Sequence, residues 1–288
     1  MRSALSALEL SRPRRLDEAL ELMAMRDRPT PLAGGTDLYV YLNAGTLSAT
    51  RFMDVTRVAE LKRLRVAREA VTIGGGVTFR ELREHAAIRR RFPSLAAAAA
   101  EVGAWQIQNR ATLAGNVANA SPAGDSLPVL LAHDAVVQVR SLRGGRDIPF
   151  AELYRGYRDL ALEPDELITA ITLPEPPRGA RAFFRKVGTR RAQSISKVVF
   201  AGVIALERGR VTHARLAYGS MAPVPARARH AEAALLGRAL TTAAAVEARE
   251  SLDRDLAPID DIRSDREYRM NVAGNLLERF LHPFLKPA

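Results

Sequence analysis

The chain has 288 residues, 47% hydrophobic and 26% charged, which is ordinary for a folded protein of about two domains. It has no cysteine, which excludes disulfides, thiolate zinc sites, cysteine nucleophiles and iron–sulfur clusters held by this chain. The net charge of +11 comes mostly from arginines scattered among acidic residues. We interpret them as a bias of composition, or as a basic patch for an acidic partner protein, rather than as a nucleic-acid surface.

Up to Leu173 the chain alternates between helical and strand patterns. Apolar residues at helical spacing predict a helix over Leu16–Met25, and a capping box of Thr78 and Glu81 predicts another over Thr78–Ala87. Further helices are predicted from Asp37 and over the alanine-rich segment Ser94–Val102. Strands are predicted over Thr30–Leu32, Arg51–Val55, Ala70–Ile73, Ala135–Val139 and Ile168–Leu173.

A change of pattern follows the segment Pro174–Gly179, whose prolines and final glycine are typical of a linker. Beyond it an antiparallel meander is predicted over Ala182–Val187, Val198–Leu206 and Val211–Tyr218. Helices are predicted over Ala226–Leu236, Leu240–Asp253 and Tyr268–Leu281. The sequence therefore predicts an α+β fold with a domain boundary near this linker.

A glycine pair within Ala33–Asp37 follows a predicted strand and precedes a predicted helix. Such a turn can present backbone N–H groups to a phosphate or a pyrophosphate, and the hydroxyl of Thr36 adds a donor. The alternative is a plain tight turn, which is the commoner role of paired glycines. The segment matches neither the GxGxxG pattern nor a P-loop, so it is weak evidence alone.

A second segment, Thr112–Asp125, combines small residues with closely spaced polar ones. It would bury little apolar area in a core, and its polar groups require partners. We predict a long loop that wraps a polar ligand, and the alternative is an ordinary surface loop rich in Asn and Ser. The polar members are Thr112, Asn116, Asn119, Ser121 and Asp125.

Other kinds of site find little support in the sequence. The five histidines are dispersed, which argues against a metal site, and there is no GxSxG motif of a serine hydrolase. Lys186 interrupts an apolar run and is a candidate to point into a ligand site. No apolar stretch is long enough for a membrane span, and Met1–Leu10 lacks an apolar signal core, so we expect a cytoplasmic protein.

Together, Ala33–Leu38 and Thr112–Asp125 resemble the FAD-binding subunit of the molybdenum hydroxylases, the family of xanthine, nicotinate, aldehyde and carbon monoxide dehydrogenases. The resemblance covers nearly the whole chain, and the long second motif is its most specific part. Shorter segments that also resemble the family are Ile73–Thr78, Gln106–Asn109, Glu166–Ile168 and Gly219–Arg227.

The resemblance implies a two-subdomain FAD-binding module of the p-cresol methylhydroxylase type, followed by a C-terminal domain of antiparallel sheet and helices. The implied boundaries are residues 1–176 for the FAD-binding domain, with subdomains of about 1–57 and 58–176, and residues 177–288 for a C-terminal domain of the CO dehydrogenase flavoprotein type. FAD, bound non-covalently, would lie between the two subdomains.

The resemblance also implies roles for single residues. The residues that would contact the pyrophosphate are Ala33, Gly34, Gly35, Thr36, Asp37 and Leu38. A second segment that would hold the cofactor comprises Thr112, Ala114, Gly115 and Asn116. Asp125 would contact the flavin side of the cofactor, Ile168 would pack on the ring and Lys186 would reach its polar edge, with Val102 as a further contact. Two departures are Ala114, where the family often has glycine, and Gln108, where it often has arginine.

The implied function is electron transfer within a molybdenum-containing oxidoreductase complex that includes a small [2Fe–2S] subunit and a large molybdopterin subunit. The chain would pass electrons from the partner's clusters to NAD, a quinone or another acceptor, and no side chain of its own is expected to be catalytic. The expected assembly is a dimer of heterotrimers. The alternative is a non-enzymatic protein that binds a phosphate ligand or nucleic acid.

Overall fold

The computed structural model describes residues 8–190 and 193–285. Its first part is a small parallel sheet with strand order β1-β3-β2, flanked by two helices. The elements are β1 (Glu9–Ser11), α1 (Leu16–Met23), β2 (Thr30–Leu32), α2 (Leu38–Ala44) and β3 (Arg51–Asp54). The predicted helix at Leu16 is confirmed, since its apolar residues at helical spacing form one buried face.

The second part is built on a five-stranded antiparallel sheet of order β4-β5-β10-β6-β7. The strands of this sheet are β4 (Leu64–Val66), β5 (Ala70–Gly74), β6 (Val136–Ser141), β7 (Gly144–Pro149) and β10 (Leu167–Pro174). Between β7 and β10, β8 (Tyr154–Gly156) and β9 (Asp159–Leu160) form a separate two-stranded hairpin. Its helices are α3 (Phe79–Glu84), α4 (Ala86–Arg91), α5 (Pro93–Glu101), α6 (Trp105–Gln108), α7 (Leu113–Asn119) and α8 (Leu127–Ala132).

The capping box at the start of α3 is confirmed. The backbone N–H of Thr78 donates to Oε2 of Glu81 at 2.7 Å, and the N–H of Glu81 donates to Oγ1 of Thr78 at 3.3 Å. The helix predicted here up to Ala87 ends at Glu84, because His85 adopts extended backbone angles and α4 begins anew after it. Both short helices pack with α5 over the sheet in the largest hydrophobic core.

Within the described residues, the C-terminal part is an antiparallel sheet with four α-helices, as predicted in outline. The strands are β11 (Arg181–Gly188), β12 (Ser196–Glu207), β13 (Arg210–Gly219) and β14 (Ala226–Arg227), and the helices are α9 (Arg229–Leu235), α10 (Thr242–Glu250), α11 (Leu252–Asp255) and α12 (Arg266–Leu281). The helix start predicted at Ala226 is wrong. Ala226 and Arg227 instead pair with β13, where Arg227 forms ion pairs with Asp134 and Glu232.

The C-terminal sheet packs directly on the second part, and the two share a hydrophobic core. Ala201, Val203 and Ala217 of this sheet belong to the core cluster that also holds α8. Asp134, just after α8, accepts hydrogen bonds from Arg215 at 2.7 Å and Arg227 at 2.9 Å. These contacts fix the orientation of the cleft walls described below, whereas the domain limits near residues 57 and 176 stay predictions.

Candidate functional site

A cleft of about 1650 Å³ runs between the three parts of the fold. Its volume exceeds the 300–1,000 Å³ that is usual for pockets of small ligands, so it has room for a dinucleotide. All predicted site residues except Lys186 line it: Ala33, Gly34, Gly35, Thr36, Asp37, Leu38, Val102, Thr112, Ala114, Gly115, Asn116, Asp125 and Ile168. The fold thus brings together segments that lie far apart in the sequence.

The glycine turn follows β2 and touches the second part of the fold at Gly34. A Cβ atom built on Gly34 would lie 2.1 Å from the carbonyl oxygen of Arg110 and 2.8 Å from Cα of Ala111. Gly35 has a φ of +76°, a conformation that favours glycine. The first glycine is therefore required for close contact between the two backbones, and the second for the direction of the turn.

The segment Thr112–Asp125 is not one long loop, so that prediction is wrong. Residues Leu113–Asn119 form α7, in which Oγ1 of Thr112 caps the helix by accepting from the N–H of Gly115 at 3.0 Å. Small residues and a threonine cap permit a short helix here, and Leu113 and Val117 bury its apolar face. Ala114 and Gly115 line the cleft, and Asn116 accepts a hydrogen bond from Ser126 at 2.7 Å.

A buried ionic network lies where the cleft meets the C-terminal sheet. The carboxylate of Asp125 accepts from Nζ of Lys186 at 2.6 Å and from Oγ of Ser196 at 2.5 Å. Lys186 also donates to the backbone carbonyl of Glu101 at 3.2 Å. Burial raises the pKa of Asp125, and the ammonium group of Lys186 opposes that rise. Lys186 therefore acts on the cleft through Asp125, which stands between the lysine and the cavity.

Apolar side chains flank this network. Ile168 lies on β10 at a register shift of its pairing with β6, and it is 6% exposed. Val102 follows α5 and packs against the main core. Both line the same cleft as Asp125, so the cleft wall includes apolar surface of the kind that a flat aromatic ligand would require.

Two sets of lining residues were missed by the sequence analysis. One belongs to the β8–β9 hairpin, namely Arg155, Tyr157, Arg158 and Asp159. The other belongs to the C-terminal part and includes Ile195, Ile259 and Asp261. The signal for the hairpin was a tyrosine and an arginine directly after Gly156, but it was lost among the many arginines of the chain.

The hairpin reaches across the cleft to the first part of the fold. Nη2 of Arg158 donates to the hydroxyl of Tyr41 at 3.0 Å, and that hydroxyl donates to Oδ1 of Asn119 at 2.9 Å. Burial raises the pKa of Asp37, and the nearby charge of Arg158 opposes the rise. A chain of polar contacts therefore links the hairpin, α2 and the end of α7.

Two further findings concern residues 8–190 and 193–285 only. These residues contain no group of three or more His, Cys, Asp or Glu side chains arranged to hold a metal ion. None of their helices combines the length and the apolar character needed to cross a membrane.

Comparisons with known proteins agree with this geometry. Residues 6–176 match the family model of the FAD binding domain in molybdopterin dehydrogenase, and residues 182–284 match that of the CO dehydrogenase flavoprotein C-terminal domain. The chain is 31% identical over 270 residues to the xanthine dehydrogenase FAD-binding subunit of Escherichia coli O157:H7, with 92% of each chain covered. It is 32% identical over 241 residues to the nicotinate dehydrogenase FAD-subunit of Eubacterium barkeri, with 81% of each covered.

A solved structure shares the whole fold. Carbon monoxide dehydrogenase from Hydrogenophaga pseudoflava, in a form that lacks the Mo-pyranopterin moiety of the molybdenum cofactor, superposes with a TM-score of 0.90 at 28% identity. The match covers 94% of this chain and 95% of that chain. The predicted α+β fold class is therefore confirmed.

Proposed function

The chain belongs to the family of FAD-binding subunits of the molybdenum hydroxylases, and we propose that it relays electrons from a partner's [2Fe–2S] clusters to a separate acceptor. It is an oxidoreductase subunit that works within a complex, and its cofactor is FAD. This membership favours the flavoprotein over the alternative of a non-enzymatic protein for phosphate ligands or nucleic acid.

The residues of the cleft fit FAD. The single observation that carries the proposal is that the glycine turn and the N-terminus of α7, which lie far apart in the sequence, line one large cleft. In this proposal Ala33–Leu38 and Thr112–Asn116 hold the diphosphate from opposite sides. The apolar surface of Ile168 and Val102 packs on the flavin ring, and Asp125 meets a polar edge of the ring.

When bound, FAD supplies the redox chemistry. The side chains position the ring and set its electrostatic surroundings. The Asp125–Lys186 pair keeps both charges buried and fixed, so that little reorganisation accompanies a change of charge beside it. No side chain is assigned as a general acid or base.

The partners in this proposal are a small [2Fe–2S] subunit and a large molybdopterin subunit, assembled as a dimer of heterotrimers. The acceptor is NAD, a quinone or another carrier, and the substrate is bound by the molybdenum subunit. The net charge of +11 suits docking to an acidic partner surface, so association is expected to weaken as salt rises. The cytoplasmic location stays a prediction.

The test is electron transfer by the purified chain reconstituted with FAD. After chemical reduction without oxygen, the visible absorbance of oxidised flavin is expected to return when NAD⁺ or a soluble quinone is added. A chain that binds FAD but returns its electrons to none of these acceptors, nor to a one-electron dye, would contradict the relay. A chain that retains no FAD would contradict the site itself.

A further inference from the structure

The charges on the cleft wall do not favour an anionic ligand overall. Acidic residues outnumber the basic ones among its lining: the acids are Asp37, Asp125, Asp159, Glu163, Glu166 and Asp261, and the bases are Arg155, Arg158, Arg263 and Arg269. A diphosphate carries two negative charges and repels nearby carboxylates. Backbone N–H groups stabilise it only as dipoles, so a cation on the wall would contribute strongly to binding.

Three of the four arginines already pair with carboxylates. Arg155 lies 3.0 Å from Asp159, and Arg263 and Arg269 lie 3.3 Å and 2.8 Å from Asp261. Arg158 forms no salt bridge with any residue in the described ranges 8–190 and 193–285. Its guanidinium contacts the hydroxyl of Tyr41 and is exposed to solvent in the open cleft. Arg158 is therefore the lining arginine that has no carboxylate at salt-bridge distance in the described residues, although its charge also acts on Asp37.

The position of Arg158 is held by its surroundings. Its guanidinium carbon lies 5.4 Å from the ring centre of Tyr41 and 5.8 Å from that of Tyr157, within the range of cation–π attraction. Tyr41 lies one helical turn after Asp37, and its hydroxyl is anchored on Asn119 of α7. The cation is thus held between the glycine turn and the helix that follows Thr112.

The backbone at this position is also unusual. Arg158 has a φ of +55°, in the left-handed region that side chains other than Gly, Asn and Asp rarely adopt. The β8–β9 turn therefore holds an arginine where a glycine would be less strained.

We propose that Arg158 is the counter-cation of the FAD diphosphate, an assignment that rests on the proposed function. One Nη2 hydrogen bond fixes the guanidinium on Tyr41, Tyr157 also contacts it, and the remaining N–H groups are placed to meet phosphate oxygens in the forked geometry that arginine offers. Tyr41 is then a positioning residue.

The test compares FAD and riboflavin binding by fluorescence titration of the full chain stripped of flavin. Arg158→Gln keeps most of the side-chain length and removes the charge. We expect it to weaken FAD binding about 10- to 100-fold, as loss of a charge-assisted hydrogen bond does, and riboflavin binding less than about threefold. Arg158→Lys is expected to recover part of the FAD affinity, because it restores the charge without the forked geometry.

Arg143→Gln is the matched control, since it removes the same charge from an exposed arginine that is paired with Asp165 and lies outside the cleft. We expect it to change FAD binding less than about threefold. The assignment is overturned if Arg158→Gln binds FAD as tightly as the unmodified chain, or if riboflavin binding falls equally. Failure of the unmodified chain to bind FAD would instead overturn the proposed function, so the two failures are distinguishable.

Discussion

Replacing Gly34 by alanine tests whether the cleft depends on direct backbone contact between its two walls. The added Cβ would lie 2.1 Å from the carbonyl oxygen of Arg110, about 1 Å closer than Cβ atoms approach other heavy atoms in real structures. Backbone is on both sides of the contact, so neither side can yield by rotating a side chain. The glycine turn must move away from Arg110–Ala111 by roughly that distance.

A shift of about 1 Å removes well-aligned hydrogen bonds to a ligand held from both walls. Loss of two bonds to a charged group costs about 3 kcal/mol, which corresponds to a roughly 100-fold weaker FAD affinity. Overpacking itself costs about 1–3 kcal/mol of folding stability. We therefore expect Gly34→Ala to remain folded by circular dichroism but to lose FAD during gel filtration.

The matched control is Gly156→Ala. Gly156 lies in the hairpin beside the cleft with an ordinary backbone angle, and a Cβ built there meets no atom within 4 Å. This variant is expected to bind FAD as the unmodified chain does. If Gly34→Ala retains full FAD occupancy and affinity, the reasoning about the contact at Arg110 is refuted.

Three further predictions concern ionisable side chains. Lys186→Met leaves the buried carboxylate of Asp125 without its cation, so it should lower the free energy of unfolding by about 3 kcal/mol in urea titrations. The double variant that also carries Asp125→Asn should recover much of that loss. Burial raises the pKa of Asp37, so the folded state binds more protons and stability falls as pH rises above the ordinary pKa of this carboxyl. Asp37→Asn should therefore raise Tm at pH 7 but not near pH 3, and an equal Tm change at both would contradict the raised pKa. Burial also lowers the pKa of His133 to about 4, so stability should be complete above about pH 6.5 and decrease as pH falls toward 4, a loss that a His133→Gln variant should show only weakly.

The sequence predicted the elements whose signals are local. The capping box at Thr78 and the buried face of α1 depend on residues within one or two turns, and both are confirmed. The helix after Thr112 was missed because alanine, glycine and asparagine residues give no clear apolar period. Its stability comes from a threonine cap and from tertiary burial of Leu113 and Val117.

The site was predictable only where a segment carries a distinctive string of residues. The glycine turn and the Thr112 segment do so, and the fold places both on one cleft. The pairing of Lys186 with Asp125 joins residues that are 61 positions apart, and the contact of Arg158 with Tyr41 joins residues 117 apart. Neither of these pairings can be inferred from the spacing of residues in the sequence, because both depend on how the parts of the fold pack together.

The most direct test of the relay is the response of the flavin to substrate in the presence and absence of the partner subunits. The chain carrying FAD is mixed without oxygen with a purine, an aldehyde and an N-heterocycle, first alone and then in the complete complex purified from its natural host. The visible absorbance of the flavin is followed in each case. We expect no bleaching in the isolated chain with any of these compounds, and bleaching by the natural substrate in the complex. Bleaching of the isolated chain by one of these compounds would contradict the relay and would assign substrate oxidation to this chain itself.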